Sequence, residues 1–350
     1  MTANQNLFLR NLWYYALPGG RLKPGAMVAK TLLGEPVLLA RSKTGEVFAL
    51  RDICPHRAVP LTCGRFDGDE VECCYHGWRF DSTGRCTAIP SLVEGQDLDL
   101  SRFRVKQYPV REVQGNIWIY MAADNASQPN MDIPLVPYFG GDRSYQLVET
   151  VHFPCYVDHA VVGLMDPAHG PFVHRAWWWR SGGKTLFEKA KSFEPLPYGF
   201  AMSKHTLLKK SHGYRLLGGG MPEVEIAFHL PSVRIEYITT GQHTVCNLTA
   251  VTPISETETE VNSTFYWTLP WLTLAKPILR PLVRAFINQD QALVAKQQEG
   301  LKHNPKLLLI KDADTQALWY YQLKTEFARA VAENRPFINP IKKQVLRWRS

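Results

Sequence analysis

Two short motifs near the start of this 350-residue chain each pair one cysteine with one histidine. The first is C-P-H, from Cys54 to His56, and the second is C-C-Y-H, from Cys73 to His76, with 16 residues between them. Thiolates and imidazoles together bind iron or zinc, and two of each complete a metal site. A zinc finger places both histidines on a helix after the cysteines. The spacing therefore favours a metal centre held by two loops, with a zinc-stabilised structural module as the alternative.

The distribution of cysteines favours metal binding over disulfides. Five of the seven fall within 33 positions, and we find neither an apolar run of ~18 residues nor a secretory leader. We therefore expect a cytoplasmic protein, whose reducing surroundings keep thiols free. Cys63, Cys74 and Cys86 match no ligand position, and we expect them to be small buried thiols.

A second group of candidate ligands lies at residues 164–174, which read L-M-D-P-A-H-G-P-F-V-H. A helix predicted over about 156–169 would place Asp166 and His169 on one face, and the glycine and proline that follow would let His174 turn to the same centre. Two neutral imidazoles and one carboxylate bind Fe(II) and leave positions open for dioxygen. The carboxylate has to come from elsewhere in the chain.

Hydrophobic patterning predicts an α+β protein of two domains. Short apolar runs broken by glycine and proline indicate an all-β domain over 10–122, and a polar, proline-containing stretch indicates a linker over 123–137. The remainder, 138–350, shows strand patterns followed by helical ones and is expected to be a mixed α/β domain. With 45% hydrophobic and 21% charged residues, the chain is not a disordered or fibrous protein.

The two cysteine–histidine motifs, continued as C-P-H-R and C-C-Y-H-G-W, resemble the Rieske motif of the Rieske non-haem iron oxygenases. The resemblance implies a [2Fe–2S] cluster in which Cys54 and Cys73 bind one iron and His56 and His76 bind the other. Two imidazoles in place of two thiolates raise the cluster's reduction potential, which suits an electron relay. The implied fold is an N-terminal all-β Rieske domain followed by a helix-grip (START-like) catalytic domain.

The second motif resembles the mononuclear iron site of the same family. The resemblance implies that His169, His174 and Asp290, within N-Q-D-Q-A-L-V, bind Fe(II). It also implies that Asp166 is not an iron ligand and instead connects a ligand histidine to His76 of the partner subunit. Such proteins form head-to-tail homotrimers, in which electrons cross from one subunit to the next.

The family's activity supplies the expected function. The chain would be the terminal oxygenase, which takes electrons from NAD(P)H through a ferredoxin, a flavin reductase or both, and uses O2 to hydroxylate or oxidatively demethylate a small aromatic or lipophilic polycyclic substrate. The length of the chain and its L-M-D-x-x-H motif are similar to those of the monooxygenase and demethylase branch of the family. A ring-dihydroxylating dioxygenase is the alternative, and an electron-transfer or ligand-binding protein without oxygenase activity is another. One departure is that Val162 and Gly163 stand where many members carry an asparagine.

Three weaker features complete the prediction. Lys276, Arg280 and Arg284 are four residues apart among apolar ones, a pattern that can lie on a membrane surface or bind an acidic partner. Nearby prolines argue against one continuous helix and favour a helix start with solvated charges over peripheral membrane contact. The residues Trp177–Trp179 either line an apolar pocket or fill a core. The sequence has no nucleotide-binding glycine loop, so we expect another protein to bind NAD(P)H and flavin. We also expect no nucleic-acid partner.

Overall fold

The computed structural model describes two compact units. They are Arg10–Ile133, and Pro134–Ser350 with Phe8 and Leu9. The predicted α+β class is confirmed, since the first unit is all-β and the second combines a large antiparallel sheet with helices. The 123–137 linker and the domain bounds drawn from the sequence stay predictions. The described residues are 8–124, 128–141, 143–174, 186–206 and 220–350.

The first unit contains three small antiparallel sheets within its described residues, ordered β1-β11-β10, β2-β3-β4-β9 and β5-β6-β7-β8. The strands are β1 Leu12–Pro18, β2 Ala26–Leu32, β3 Glu35–Arg41, β4 Val47–Arg51, β5 Arg65–Phe66, β6 Val71–Glu72, β7 Arg79–Phe80, β8 Cys86–Ala88, β9 Gln107–Tyr108, β10 Val110–Val113 and β11 Asn116–Met121. Short 3-10 helices lie at Gly19–Arg21, Leu61–Cys63 and Leu100–Arg102.

The β2–β3 hairpin shows how local sequence specifies these strands. Leu33 and Gly34 have φ of 54° and 77°, which is the left-handed pair that a two-residue hairpin turn requires. The strands pair in register from Ala26 with Arg41 to Leu32 with Glu35. Apolar side chains of this unit then pack into a core that includes two of the predicted ligand cysteines.

The second unit is built on one antiparallel sheet, which has eight strands in the described residues, in the order β12-β18-β17-β16-β15-β14-β13-β19. The strands are β12 Leu147–Phe153, β13 Glu188–Leu196, β14 Gly199–Thr206, β15 Glu223–His229, β16 Val233–Thr240, β17 His243–Pro253, β18 Thr259–Trp267 and β19 Gln344–Arg349. The helices are α1 Val157–Met165, α2 Gly170–Val173, α3 Pro270–Leu274, α4 Lys276–Leu301 and α5 Thr315–Ala332.

The long helix α4 is fixed to the edge strand β12 by two polar contacts. The Arg280 guanidinium donates to the Glu149 carboxylate, with Nε 2.5 Å from Oε1. Further along the helix, the Gln291 amide donates to the His152 carbonyl at 2.5 Å. These contacts set both the position and the rotation of α4, and thereby the direction in which its other side chains point.

Two expectations about helices were wrong. The helix predicted over 156–169 ends at Met165, because Asp166 precedes a proline and such a residue is disfavoured in helical backbone; its ψ is 119°. In contrast, α4 is continuous from Lys276 through Pro281. Pro277 lies in the first turn, where the missing N–H is not needed. None of the helices in the described ranges is long and apolar enough to cross a membrane.

Candidate metal centres

The four candidate ligands of the first unit lie in two loops. Cys54 follows β4, and Cys73 and His76 lie in the turn between β6 and β7. The Cys73 N–H donates to the Trp78 carbonyl at 2.8 Å, which closes this turn. Gly77 has φ +69°, where a larger residue would be strained, so glycine allows the chain to turn back directly after the histidine.

The side chains of these loops come together as two thiols and two imidazoles. Cys54 and Cys73 are buried with their thiols in contact, and the rings of His56 and His76 have centroids 4.5 Å apart. The Nδ1 atom of His76 is buried and has no hydrogen-bond partner among the described residues. Burial raises the pKa of the Cys54 thiol to about 11, so a thiolate there needs a nearby cation. This donor set, with one unpartnered buried nitrogen, fits a Rieske cluster.

The other cysteines of this region differ in exposure. Cys86 is buried as expected, but Cys63 and Cys74 are exposed, so the expectation of buried thiols was wrong for those two. Cys63 ends a surface 3-10 turn, and Cys74 follows the buried Cys73 in its loop and faces solvent.

In the second unit the structure brings three predicted ligands together. The two Nε2 atoms of His169 and His174 are 3.2 Å apart, and the Asp290 Oδ1 atom is 3.6 Å from the first and 3.4 Å from the second. Among the described residues, these three side chains form a group whose donor atoms all lie within 4.8 Å of one another, which is close enough to hold one metal ion. The three side chains come from α4 and from the two ends of α2.

Hydrogen bonds to the Nδ1 atoms of His169 and His174 determine that the Nε2 atom of each ring faces the shared metal position. His169 Nδ1 lies 2.7 Å from the Asp166 carbonyl oxygen, and His174 Nδ1 lies 3.2 Å from Gln289 Oε1. Both partners are acceptors, so each Nδ1 carries the proton and each Nε2 presents a lone pair. Two lone pairs and a carboxylate oxygen at these distances repel one another unless a metal cation lies between them or the carboxyl group holds a proton.

Burial sets the protonation of this site. It lowers the pKa of His174 to about 4, with the neighbouring His169 acting in the same direction and Gln289 opposing both. It raises the pKa of Asp290 to about 7, with the Arg234 guanidinium acting in the opposite direction. The imidazole of His174 is therefore neutral near pH 7, as a metal ligand must be. The donor set fits a 2-His-1-carboxylate iron site.

Sequence reasoning missed the residues that support these ligands. Phe286 stacks on the His174 ring with centroids 3.7 Å apart, and Gln289 orients the same ring. Phe286 lies four residues before Asp290 on the same face of α4, so the 3.6-residue period would have identified it once α4 was assigned. Gln289 is adjacent to Asp290 in the chain, and the helical period gives no signal for it. Helix α1, which precedes Asp166, is attached to α5 by an ion pair in which the Asp158 carboxylate accepts from the Lys324 ammonium at 2.8 Å.

Asp166 lies where the chain leaves α1. Its Oδ1 atom accepts from the Ala168 N–H at 2.7 Å, and its side chain is 33% exposed. Gly163, which stands near the usual asparagine position, has the Val294 side chain as its neighbour, 3.9 Å from where a Cβ would lie. This stretch of α1 therefore faces α4 with apolar contact. Trp177–Trp179 lie outside the described residues.

Two family models match the chain. A Rieske [2Fe–2S] domain matches residues 12–109, and the C-terminal domain of vanillate O-demethylase oxygenase matches residues 155–328. Together they contain all eight candidate site residues, in the expected order.

Proteins with sequences or folds similar to this chain are named as monooxygenases or O-demethylases. The chain is 37% identical over 135 residues to a 4β-methylsterol monooxygenase of Methylococcus capsulatus, covering 39% of this chain and 36% of that protein. It is 35% identical over 172 residues to the oxygenase component of dicamba O-demethylase from Stenotrophomonas maltophilia, covering 48% of each. The chain thus spans less than half the length of these relatives. A solved structure of dicamba monooxygenase with 3,6-dichlorosalicylic acid is similar in fold, with a TM-score of 0.74, 22% identity and coverage of 93% of this chain and 99% of that one.

Proposed function

Because the chain belongs to the Rieske non-haem iron oxygenases through both of its domains, we propose that it is the terminal oxygenase component of a multicomponent system. Its reaction would be hydroxylation or oxidative demethylation of an organic substrate, at the expense of O2. The observation that carries this proposal is the set of three donor atoms from His169, His174 and Asp290, which converge within 3.6 Å of one another.

In this proposal His169, His174 and Asp290 hold Fe(II), and Cys54, His56, Cys73 and His76 hold the [2Fe–2S] cluster. When bound, the cluster would deliver electrons and the Fe(II) would supply the activation of dioxygen beside the substrate.

The protein's own groups prepare the iron site for that chemistry. Gln289 and the Asp166 carbonyl hold the Nδ1 protons of the two histidines, so that both rings present the correct nitrogen. Phe286 covers one face of the His174 ring and limits its rotation. Three protein ligands leave the remaining coordination positions to small molecules.

Electron entry and assembly follow the same proposal. A ferredoxin, a flavin reductase or both would supply electrons from NAD(P)H, and the copies would assemble head to tail as homotrimers. Asp166 would then connect His169 or His174 to His76 of the partner subunit. Two features support this role: the Asp166 side chain is one-third exposed, and Tyr75, beside His76, is 57% exposed. We place the system in the cytoplasm.

The substrate class is proposed from the relatives. Their names include O-demethylases of aromatic compounds and a methylsterol monooxygenase, which supports a small aromatic or lipophilic polycyclic substrate. One relative is named a 3-chlorobenzoate dioxygenase oxygenase subunit, so ring dihydroxylation is the second candidate. The two are distinguished by the number of labelled oxygen atoms in the product.

The test is product mass spectrometry. The purified protein is incubated with NADH, a surrogate reductase pair, ¹⁸O2 and a panel of methoxyaromatics, aromatic acids, sterols and pigments. We expect one compound to gain a single labelled oxygen or to lose a methyl group as formaldehyde. A diol with two labelled oxygens would favour the dioxygenase.

Two pairs of variants separate the centres. His169→Ala should abolish product formation and keep the cluster's visible and EPR spectra, whereas the exposed His303→Ala should change neither. Cys73→Ser should remove the cluster spectra, whereas its neighbour Cys74→Ser should retain them. If His169→Ala leaves all function intact, the chain is an electron-transfer or ligand-binding protein. A colourless protein without a reduced-cluster EPR signal would indicate a structural zinc module.

A further inference from the structure

The centre of the large sheet carries an ion pair. Arg234 and Glu236 lie two residues apart on β16, so their side chains point to the same side of the sheet. Arg234 Nη1 donates to Glu236 Oε2 at 2.9 Å. Their partners on β17 are Thr249 and Asn247, and directly opposite residues of antiparallel strands share a side. Polar side chains of two central strands thus form one patch in the middle of this side.

Contacts at both ends of the sheet show that this side is the one the helices cover. At one end, Glu149 accepts from Arg280 of α4, and the register across β18 and β17 places Glu149 on the side of Arg234. At the other end, the β15 partner of Arg234 is Phe228, whose ring contacts Tyr320 of α5 with centroids 5.7 Å apart. The ion pair therefore lies between the places where α4 and α5 touch the sheet.

Open space adjoins the pair on the helix side. The Arg234 and Glu236 side chains are 22% and 21% exposed, although β16 is a central strand. Ile235 and Tyr237, which point to the opposite side, are only 2% and 8% exposed. The exposure of the pair therefore comes from the side that the helices cover. A space that combines apolar walls with a few polar groups is typical of a small-molecule site.

The pair also faces the proposed iron site and has hydrogen-bonding capacity to spare. The helix that packs on this side of the sheet, α4, carries Asp290, and the Arg234 guanidinium opposes the rise that burial causes in the pKa of Asp290. Among the described residues, the hydrogen bond of Arg234 runs to Glu236 through Nη1 alone. The remaining N–H groups of the guanidinium and the free lone pairs of the carboxylate are available to a ligand.

We propose that the Arg234–Glu236 pair binds a hydroxyl group of the substrate, which accepts from Arg234 and donates to Glu236. The inference rests on the proposed oxygenase function and narrows its substrate to an uncharged phenol or alcohol, held with the carbon to be oxidised toward the iron ligands. A hydroxyl group is both donor and acceptor, so it satisfies both members of the pair. A carboxylate would bring a second negative charge beside Glu236, and a hydrocarbon would add no hydrogen bond to either residue.

The experiment is equilibrium binding to the full chain, loaded with its cluster and with Fe(II) in the absence of oxygen. The ligands are sets of compounds that share a skeleton and differ in one substituent, which is hydroxyl, hydrogen or carboxylate. The sets are phenol, benzene and benzoate; 2-naphthol, naphthalene and 2-naphthoate; and 9-phenanthrol, phenanthrene and 9-phenanthroate. On the skeleton that binds most tightly, we expect the hydroxyl compound to exceed both of its counterparts in affinity by at least about tenfold.

Variants of the pair assign this preference to it. Glu236→Gln removes the charged acceptor and should lower the hydroxyl preference about tenfold. Arg234→Met/Glu236→Met replaces the pair by apolar side chains, a change that folded proteins tolerate, and should leave the hydrogen compound as the tightest ligand. The matched control is Glu223→Gln, because Glu223 pairs with Lys204 on the opposite side of the same sheet; it should keep the preference.

Circular dichroism and the cluster absorbance establish that each variant is folded. The absence of a hydroxyl preference on every skeleton would overturn the proposal, and so would an unchanged preference in Arg234→Met/Glu236→Met. Tighter binding of a carboxylate would also overturn it, since the patch would then be an anion site. Failure of the proposed function is seen separately, because a protein that prefers hydroxyl compounds and gives no labelled product keeps this binding site without being an oxygenase.

Discussion

Replacing Asp290 by asparagine removes a buried titrating group and nearly preserves its shape. In the metal-free protein, burial raises the pKa of Asp290 from 3.8 to about 7. Between these two pH values the folded state keeps a proton that the unfolded state releases, so the free energy of unfolding decreases as pH rises through this window. The difference between 3.8 and about 7, at about 1.4 kcal/mol for each pH unit, amounts to about 4 kcal/mol above pH 7.

The asparagine amide stays neutral at every pH, so the metal-free Asp290→Asn protein should gain stability relative to the unaltered chain as pH rises. The lowered pKa of His174 acts in the opposite direction, but it is present in both proteins and cancels in the comparison. Between pH 5 and pH 8 we expect the stability difference to grow by about 2–3 kcal/mol in favour of the variant.

The assay is urea unfolding of chelator-treated protein at both pH values, in which circular dichroism follows the unfolding transition of the second unit. Fe(II), added without oxygen, should stabilise the unaltered chain and have little effect on the variant, because a bound metal stabilises only the state that binds it. Equal stability differences at pH 5 and pH 8 would refute the reasoning, since the carboxyl would then not be titrating in the folded state. Equal Fe(II) stabilisation of the two proteins would remove Asp290 from the ligand set.

Three further predictions concern the groups around the iron site. Gln289→Leu should lower Fe(II) affinity about 10–100-fold in anaerobic titration, because His174 loses the acceptor that orients its ring; unchanged affinity would contradict that role. Lys324→Met should destabilise the protein by about 3–5 kcal/mol in urea unfolding, since it leaves the Asp158 carboxylate buried without its cation, and a loss below about 1 kcal/mol would show that the pair is dispensable. Asp166→Asn should keep both metal contents and slow electron delivery about 10–100-fold in stopped-flow reduction, whereas an unchanged rate would argue against the proposed connection between subunits.

Much of the candidate metal chemistry was accessible from local sequence. The two cysteine–histidine motifs lie in loops whose turns depend on nearby residues, and Gly77 has the left-handed backbone that such a turn requires. Strand positions were accessible for the same reason, because alternation and hairpin turns are properties of a few neighbouring residues. The early end of α1 also has a local cause, because the proline after Asp166 disfavours helical backbone at that residue even though the 3.6-residue pattern continues to His169.

Local sequence was enough to predict the donor types, their order and the two-domain α+β plan, since each depends on residues close together in the chain. The packed structure is what brings Asp290 to His169 and His174, because the contacts of α4 with β12 fix the rotation of that helix. It also decided which ring nitrogen faces the centre, through an acceptor, Gln289, that is 115 positions from the histidine it orients. Burial, which sets the pKa of Asp290, is a property of all surrounding segments at once, and no local pattern contains it.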